Sequence, residues 1–407
     1  MTIPESTTCV IAGGGPAGVM LGVLLSRAGI AVIVLEKHAD FLRDFRGDTV
    51  HVSTQRVLDD MGLAEQFAQL PRQDLDSLSG TGNLRWFGRG RNEAGRTERR
   101  TAIVPQWEFL DLLATAGAAK PTFRLVHNVE VVGPLRHDGR VVGVRYRGPD
   151  GVVGQLRADL TVACDGRSST LRSAMGLVPR SFDVPMDIWW FRLPRRLDDP
   201  AELSGVAHID RRCVTTNRGD YYQIGLQISK GQDAALRARG IEALQRDITS
   251  LIPCMADRVG ELTSFEEVKL LDVQMNRLRR WYGKGILFIG DAAHAMSPAG
   301  GIGINLAIAD AVAAARILAP PLRTGRLSTR HLARIQLRRT LPTVIVQTVQ
   351  GMLHARIVAN RNSDPRSDHR PSRLTEILGR NPLVQAVFGL IIAVGPFSER
   401  APEFARR

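Results

Sequence analysis

A glycine-rich turn near the start of the chain constrains the fold more than any other feature. Its three glycines have the spacing G-x-G-x-x-G and are Gly13, Gly15 and Gly18. An apolar run at 8–12 precedes the turn, Pro16 suits the first turn of a following helix, and Gly29 suits its end. A second apolar run at 31–35 leads to Glu36. This order of strand, turn, helix, strand and acid predicts a Rossmann-type unit that binds a dinucleotide.

The residues expected to bind the dinucleotide lie in the turn and at the end of the second strand. They are Gly13, Gly15, Pro16, Ala17, Gly18, Glu36 and Lys37. The glycines let the backbone approach a pyrophosphate, whose charge faces the N-terminus of the helix. Glu36 would accept hydrogen bonds from a ribose diol, which disfavours a 2′-phosphate at that position. This motif alone does not distinguish FAD from NAD.

A second glycine-rich segment favours FAD. The sequence GDAAH at 290–294 follows an apolar run at 285–289 and precedes SPAGGIGIN at 297–305, which opens a helix. Asp291, at the strand end, can bind a ribityl hydroxyl, and backbone N–H groups at the helix start can contact the pyrimidine edge of a flavin. That edge becomes negative on reduction, and a helix N-terminus stabilises such charge by about 0.3–1 kcal/mol, or up to ~2 kcal/mol when partly buried.

A third motif, DGRSSTLR at 165–172, has the form D-G-x-x-S-x-x-R and also follows an apolar run. In residue type, spacing and order, the three motifs together resemble those of the p-hydroxybenzoate hydroxylase-like, or group A, flavoprotein monooxygenases. The resemblance extends from Gly13 to Asp310 and so covers most of the chain. It implies a nicotinamide coenzyme without a Rossmann domain of its own, and the sequence has no second G-x-G-x-x-G that would contradict this.

The resemblance also implies roles for individual residues. Glu36 would bind the adenosine ribose and Asp291 the ribityl chain. Asp165 matches the acid that supports both FAD and the passage of NAD(P)H, and His294 is expected to be structural, packed beneath the loop. The remaining positions implied to contact the cofactor are Arg46, Gln106, Gly303, Ile304 and Asn305.

The order of apolar runs predicts an α/β (α+β) fold, in which a Rossmann-type FAD-binding domain is interleaved with an antiparallel-sheet substrate domain and followed by a helical C-terminal tail. We expect the FAD-binding domain at 1–72, 100–180 and 270–345, the substrate domain at 73–99 and 181–269, and the C-terminal segment at 346–407. The individual elements expected are a helix at 53–61 capped by Ser53 or Thr54, a strand meander at 129–162, a helix at 241–252, a helix at 301–318 ended by Pro320 and Pro321, a loop at 360–372 and a buried helix at 386–394.

The composition limits the partners. The formal net charge is +13, but 15 arginines, no lysine and five acidic residues lie between Arg323 and Arg407. No nucleic-acid motif accompanies this charge, so we expect a solvated basic tail and no nucleic-acid partner. The four cysteines have no metal-ligand spacing and suit free thiols in the cytoplasm. No uninterrupted apolar run reaches the about 20 residues of a membrane span, and we expect neither a transmembrane segment nor peripheral membrane contact.

The implied activity is that of an FAD-dependent monooxygenase. NADH or NADPH reduces the flavin, O2 forms a C4a-hydroperoxide on it, and one oxygen atom passes to a small aromatic or polyketide-like substrate by hydroxylation or epoxidation. The substrate is expected under the strand-rich region at 181–270, whose aromatic clusters are DIWWF at 187–191 and DYYQI at 220–224. Alternation along the second cluster gives two faces, and the sequence does not show which one covers the pocket. No catalytic residue is assigned.

Other activities share parts of these motifs. A flavin-dependent halogenase would carry W-x-W-x-I-P, whereas the sequence at 189–194 is WWFRLP. A reductase that saturates double bonds could use the same FAD motifs. A non-catalytic redox sensor would bind FAD without substrate-stimulated NAD(P)H oxidation. The sequence leaves these two alternatives, the choice between NADH and NADPH, and the oligomeric state open.

Overall fold

The computed structural model describes residues 3–42, 49–74, 79–80, 84–85, 100–199, 213–361 and 398–407. In chain order, its strands are β1 (Ser6–Ala12), β2 (Val32–Leu35), β3 (Thr49–Val50), β4 (Gln73–Asp74), β5 (Ser79–Gly80), β6 (Leu84–Arg85), β7 (Ala102–Ile103), β8 (Phe123–Val126), β9 (Glu130–His137), β10 (Arg140–Arg147), β11 (Val153–Ala163), β12 (Arg180–Phe182), β13 (Met186–Pro194), β14 (Cys213–Asn217), β15 (Tyr221–Ser229), β16 (Lys269–Leu271), β17 (Met275–Arg277), β18 (Tyr282–Gly283) and β19 (Ile286–Phe288). Its α-helices are α1 (Pro16–Arg27), α2 (Val52–Asp60), α3 (Ala64–Ala68), α4 (Gln106–Ala118), α5 (Thr170–Ala174), α6 (Asp233–Arg237), α7 (Ile241–Leu251), α8 (Ile302–Arg323) and α9 (Thr329–Arg361). Short 3-10 helices lie at Pro253–Met255, Val259–Glu261, Gly290–Ala292 and Glu403–Ala405.

The central sheet places parallel strands side by side in the order β19, β11, β1, β2 and β8. Strand β18 pairs antiparallel with β19 at one edge, and the long β11 continues into an antiparallel meander with β10 and β9. The meander expected from the sequence is therefore confirmed. Helix α1 connects β1 to β2, which gives the strand–helix–strand unit that the glycine-rich turn predicts.

Both faces of the central sheet are buried, because alternate residues of a strand point to opposite sides. In β1, Cys9 and Ile11 pack on the side of α1, α4 and α8. Val10 and Ala12 pack on the other side, in the core that contains Trp281. This two-sided burial explains why β1 reads as a continuous apolar run rather than an alternating one.

A second, antiparallel sheet has the strand order β14, β15, β13, β16. Helix α7 covers one of its faces, where Trp189 and Phe191 of β13 and Ile224 of β15 pack with Leu244 and Ile248 of the helix. The helix expected near 241–252 is confirmed. The packing of α7 shows that the face of β15 that contains Ile224 belongs to the core.

The predicted cap of α2 is wrong. The helix begins after His51, and no side chain caps it. The hydroxyl of Thr54 donates instead to Oδ1 of Asn305 (2.7 Å), a partner far away in the sequence. A tertiary contact has therefore replaced the local cap that the residue type suggested.

The predicted end of α8 is also wrong. The helix does not stop at Pro320 and Pro321 but continues to Arg323. Both prolines lie in its last turns, and burial of Pro321 and Leu322 offsets the missing N–H donors. Among the described residues, α8 is the one helix long and apolar enough to cross a membrane, but 78% of its most apolar window is buried inside the protein.

The C-terminal segment differs in detail from the sequence-based expectation. Helix α9 runs without a break across the expected boundary between 345 and 346. The helix expected at 386–394 and most of the loop expected at 360–372 lie outside the described residues. Residues 398–407 pack against the end of α2, where Arg400 donates two hydrogen bonds to Asp60 (2.8 and 2.6 Å).

Candidate functional site

The predicted binding segments lie at one edge of the central sheet. Each follows the carboxyl end of a parallel strand: the glycine-rich turn follows β1, Glu36 follows β2, Asp165 follows β11, and the GDAAH segment at 290–294 follows β19. These strands are neighbours in the sheet, so the segments meet. The carboxyl edge of the strands is where open α/β sheets bind their ligands.

The glycine-rich turn combines tight packing with open space. Gly13 has φ +103°, and a Cβ there would overlap the carbonyl of Cys164. A Cβ at Gly18 would overlap the carbonyl oxygen of Gly13, so the start of α1 packs directly on the turn. Apart from its neighbours in the chain, no described atom lies within 4 Å of the place a Cβ would take at Gly15, the N-cap of α1. The turn therefore has room for a pyrophosphate at the helix N-terminus.

Glu36 is buried beside this turn. Its Oε2 accepts a hydrogen bond from the N–H of Gly14 (2.7 Å), and its Oε1 accepts one from the N–H of His38 (3.0 Å). A carboxylate has about four acceptor sites, so these bonds are compatible with acceptance from a ribose. Glu36 thus also holds the turn in shape, whereas the neighbouring Lys37 is exposed.

Asp165 holds the D-G-x-x-S-x-x-R segment together. Its Oδ1 accepts from the hydroxyl of Ser169 (2.6 Å) and its Oδ2 from the N–H of Leu171 (3.0 Å), at the start of α5. Burial raises the pKa of Asp165, although both hydrogen bonds lower it. Arg172 of the same segment donates to the carbonyl of Ala292 (3.1 Å), which ties this motif to GDAAH.

Asp291 presents a carboxylate next to the start of α1. Its side chain is 39% exposed and lies 3.7 Å from Nε of Arg167. A Cβ on the preceding Gly290 would stand 3.2 Å from Cβ of Ala17, so the two FAD motifs are in contact. This position suits a ligand of the ribityl chain, close to the pyrophosphate turn.

The start of α8 also faces open space. Apart from its chain neighbours and the backbone of its own helix, no described atom lies within 4 Å of the place a Cβ would take at Gly303. The side chain of Asn305 is engaged by the protein, since its Oδ1 accepts from the N–H of His51 (2.9 Å) and the hydroxyl of Thr54 (2.7 Å), and its Nδ2 donates to two backbone carbonyls (both 2.9 Å). The backbone N–H groups at the start of α8 are therefore the groups that suit the flavin edge predicted here. The side chain of Asn305 instead joins α8 to the segment around α2.

A buried carboxylate, Asp310, supports the GDAAH segment. Its Oδ2 accepts from the N–H of Gly290 (3.1 Å) and lies 2.6 Å from Nε2 of His294, and its Oδ1 accepts from Nε of Arg339 (2.8 Å). Burial alone raises the pKa of Asp310, but His294 and Arg339 outweigh it and hold that pKa below its ordinary value. His294 packs beneath the loop against Trp281, as expected. Sequence reasoning missed the role of Asp310, whose one signal was an acid inside an apolar helix.

Two predicted contacts lie apart from this geometry. Arg46 lies outside the described residues. Gln106 is the first residue of α4, half-buried, after Pro105 at the N-cap. Among the described residues, no cluster of three or more His, Cys, Asp or Glu could hold a metal ion. The open helix starts, the Asp291 carboxylate and the tight glycine packing together fit an FAD.

Comparison with known proteins agrees with this geometry. The family model described as FAD binding domain matches residues 6–348. The chain is 33% identical over 363 residues, 86% of this chain and 83% of the relative, to the 6-methylpretetramide 4-monooxygenase of Streptomyces rimosus. It is 26% identical over 339 residues, 80% of this chain and 84% of the relative, to digeranylgeranylglycerophospholipid reductase 1 of Methanopyrus kandleri.

The fold matches a solved structure as well. The anhydrotetracycline hydroxylase from Streptomyces rimosus superposes with a TM-score of 0.71 at 22% identity, over 98% of this chain and 77% of that one. The family match spans both FAD motifs, the D-G-x-x-S-x-x-R segment and the second sheet. This chain therefore belongs to the p-hydroxybenzoate hydroxylase-like family and is an FAD-dependent monooxygenase.

Proposed function

We propose that this monooxygenase transfers one oxygen atom to an aromatic, polyketide-derived substrate bound between the flavin site and the second sheet. FAD, when bound, supplies the reduction by NADH or NADPH and the transfer of one oxygen atom from O2. The protein supplies binding, orientation and a pocket that excludes water. Two similar proteins support the substrate class, since their names specify 6-methylpretetramide and anhydrotetracycline.

The observation that carries the substrate proposal is the face of the second sheet opposite α7. We call it the Gln face and define it by Trp190, Gln223 and Gln227. Both glutamines are buried, and the ring of Trp190 lies across Gly225, where a Cβ would stand 2.9 Å from the indole. A flat aromatic surface next to amide donors and acceptors suits a polycyclic substrate with phenolic and carbonyl oxygens.

Isotope labelling tests the reaction type. Purified protein with FAD, NADH or NADPH, a tetracycline-type intermediate and ¹⁸O₂ is expected to give a product that contains one ¹⁸O atom. A double-bond reductase would instead give a saturated product without ¹⁸O, and it would form this product in the absence of O2 as well. A redox sensor would bind FAD but show no substrate-stimulated NAD(P)H oxidation. Either of these results would contradict the proposal, and the same assay measures the coenzyme preference.

We also propose that the enzyme works in the reducing cytoplasm. All four cysteines are free thiols, and three of them are buried. Burial raises the pKa of the Cys9 and Cys164 thiols, which keeps them protonated and unreactive. Free, buried thiols are typical of proteins that do not depend on disulfides.

A further inference from the structure

One face of helix α9 is polar and yet buried. Its members recur at helical spacing over about four turns, and none is more than 4% exposed. They are Arg339, Thr343, Gln347, Gln350 and His354. Buried polar groups cost free energy unless partners satisfy them, so this face needs polar partners on the element it covers. Many of those partners belong to residues 290–301, which we call the flavin loop because it connects Asp291 to the start of α8.

Gln350 makes the densest set of these contacts. Its Oε1 accepts from the N–H of Ser297 (3.2 Å), and its Nε2 donates to the carbonyls of Ser297 and Ala299 (both 2.9 Å). One side-chain amide thus satisfies three backbone groups of the loop, as a neighbouring strand would. The bonded residues immediately precede Gly300 and Gly301, which have φ +84° and +60° and lead into α8.

The other members of the face hold neighbouring parts of the same loop. Nε2 of Gln347 donates to the carbonyl of Ala295 (3.2 Å), and Nε2 of His354 lies 2.9 Å from the hydroxyl of Ser297. Arg339 reaches the loop indirectly, through the carboxylate of Asp310 that accepts from the N–H of Gly290. Contacts therefore occur at both ends and in the middle of the loop.

We propose that the polar face of α9 holds the flavin loop in place and that Gln350 is its main positioning residue. The loop has to present Asp291 and the N–H groups of the α8 start at a fixed distance from each other. Its own sequence, rich in small residues and with two glycines at positive φ, does not enforce that distance. Three hydrogen bonds from a rigid helix do enforce it. The inference rests on the assignment of this loop to the flavin.

A matched pair of variants tests the role of Gln350. Gln350→Met keeps length and volume but removes all three hydrogen bonds. Thr343→Val removes a buried hydroxyl on the same face, which donates to the carbonyl of Arg339 in its own helix (2.8 Å). We expect FAD affinity of the apoprotein to fall about tenfold or more in Gln350→Met. In Thr343→Val the FAD affinity should stay within about twofold, and the loss of thermal stability should be smaller, because only one hydroxyl that donates within the helix is removed.

A second readout separates positioning from general destabilisation. With saturating FAD, Gln350→Met is expected to show an altered visible circular dichroism of the flavin and a larger share of NAD(P)H oxidised without product. A purely structural role of Gln350 would lower the unfolding temperature but leave the flavin circular dichroism and the share of uncoupled NAD(P)H oxidation unchanged. That result would overturn the proposal. Equal losses of FAD affinity in Gln350→Met and Thr343→Val would overturn it too. If Gln350→Met does not fold, Gln350→Glu, which keeps the acceptor and loses both donors, replaces it in the same comparison.

The assignment of the loop is tested separately by Asp291→Ala. This variant is expected to bind FAD about tenfold to a hundredfold more weakly, because a ligand hydroxyl loses a charged acceptor. Wild-type affinity in a folded Asp291→Ala protein would remove the assignment itself. If Asp291→Ala binds FAD more weakly while Gln350→Met binds it as the wild type does, the loop keeps its assignment and only the positioning role of Gln350 is contradicted.

Discussion

The central sheet carries its proposed FAD-binding groups at the ends of its strands, whereas the proposed substrate-binding groups of the second sheet lie on one of its faces. At the strand ends, backbone geometry and small residues define the site, and each segment follows directly from the strand before it. On the second sheet, the same strand β15 contributes Ile224 to the core and Gln223 to the opposite face. A site at strand ends can therefore be recognised from a short sequence segment. The role of a sheet face depends instead on which element packs against the opposite face.

The largest expected effect contrasts one buried carboxylate from each region. Asp310 in the FAD-binding domain has fully buried partners in His294 and Arg339. Asp187 in the second sheet accepts from Lys230 (2.7 Å), whose side chain is 38% exposed. Asp310→Ala should cost about 3–5 kcal/mol of unfolding free energy, because it leaves a buried cation unpaired. Asp187→Ala should cost about 1–3 kcal/mol. Lys230 keeps Asp272 as a partner, so the loss comes from the N–H groups of Gly231 and Val273, which also donate to Asp187.

Urea unfolding of the two apoproteins measures this difference. Asp310→Asn has the same shape as the native residue and serves if Asp310→Ala does not fold. A larger loss in Asp187→Ala than in either Asp310 variant would contradict the view that burial of the partners decides the cost.

The second prediction sharpens the contrast between the two faces of β15. Gln227→Leu removes an amide from the Gln face and is expected to raise the KM of the substrate about tenfold, with FAD affinity unchanged. Ile224→Val, on the α7 side, should cost roughly 0.5–1.5 kcal/mol of stability and leave KM unchanged. Steady-state kinetics and thermal unfolding of both variants check this. If Ile224→Val changed KM as much as Gln227→Leu, the assignment of the faces would be wrong.

The same contrast explains what the sequence could predict. The strand–turn–helix unit was predictable because Gly13 needs a positive φ and an absent Cβ, and the place of Asp291 was predictable because it comes shortly after strand β19. Which face of β15 is covered could not be predicted from the sequence, because the answer depends on α7, which follows later in the chain. The partners of Asp310 and Gln350 lie on other elements, and no local pattern specifies them.

The end of α8 was misjudged for a related reason. Pro320 and Pro321 are strong local signals for the end of a helix. Burial of Pro321 and Leu322 nevertheless keeps the helix intact to Arg323. Local rules therefore fail where tertiary packing offsets their cost, and they succeed where backbone conformation itself forms the site.

The smallest expected effect is a pH dependence in the strand-end site, through His51. Burial lowers the pKa of His51 to about 4, outweighing its hydrogen bond with the carbonyl of Gly300 (3.2 Å), which raises it.

The unfolded chain has a histidine pKa of about 6.5 and so binds the proton first as the pH falls. The stability from neutral His51 is therefore nearly full at pH 7 and decreases from about pH 6.5 to about pH 4. Between pH 7 and pH 6 the loss is roughly 0.7 kcal/mol. His51→Gln should reduce the pH dependence of urea unfolding by about that amount. Equal slopes in His51→Gln and the wild type would show that His51 titrates normally and that the strand-end site is open to water at this point.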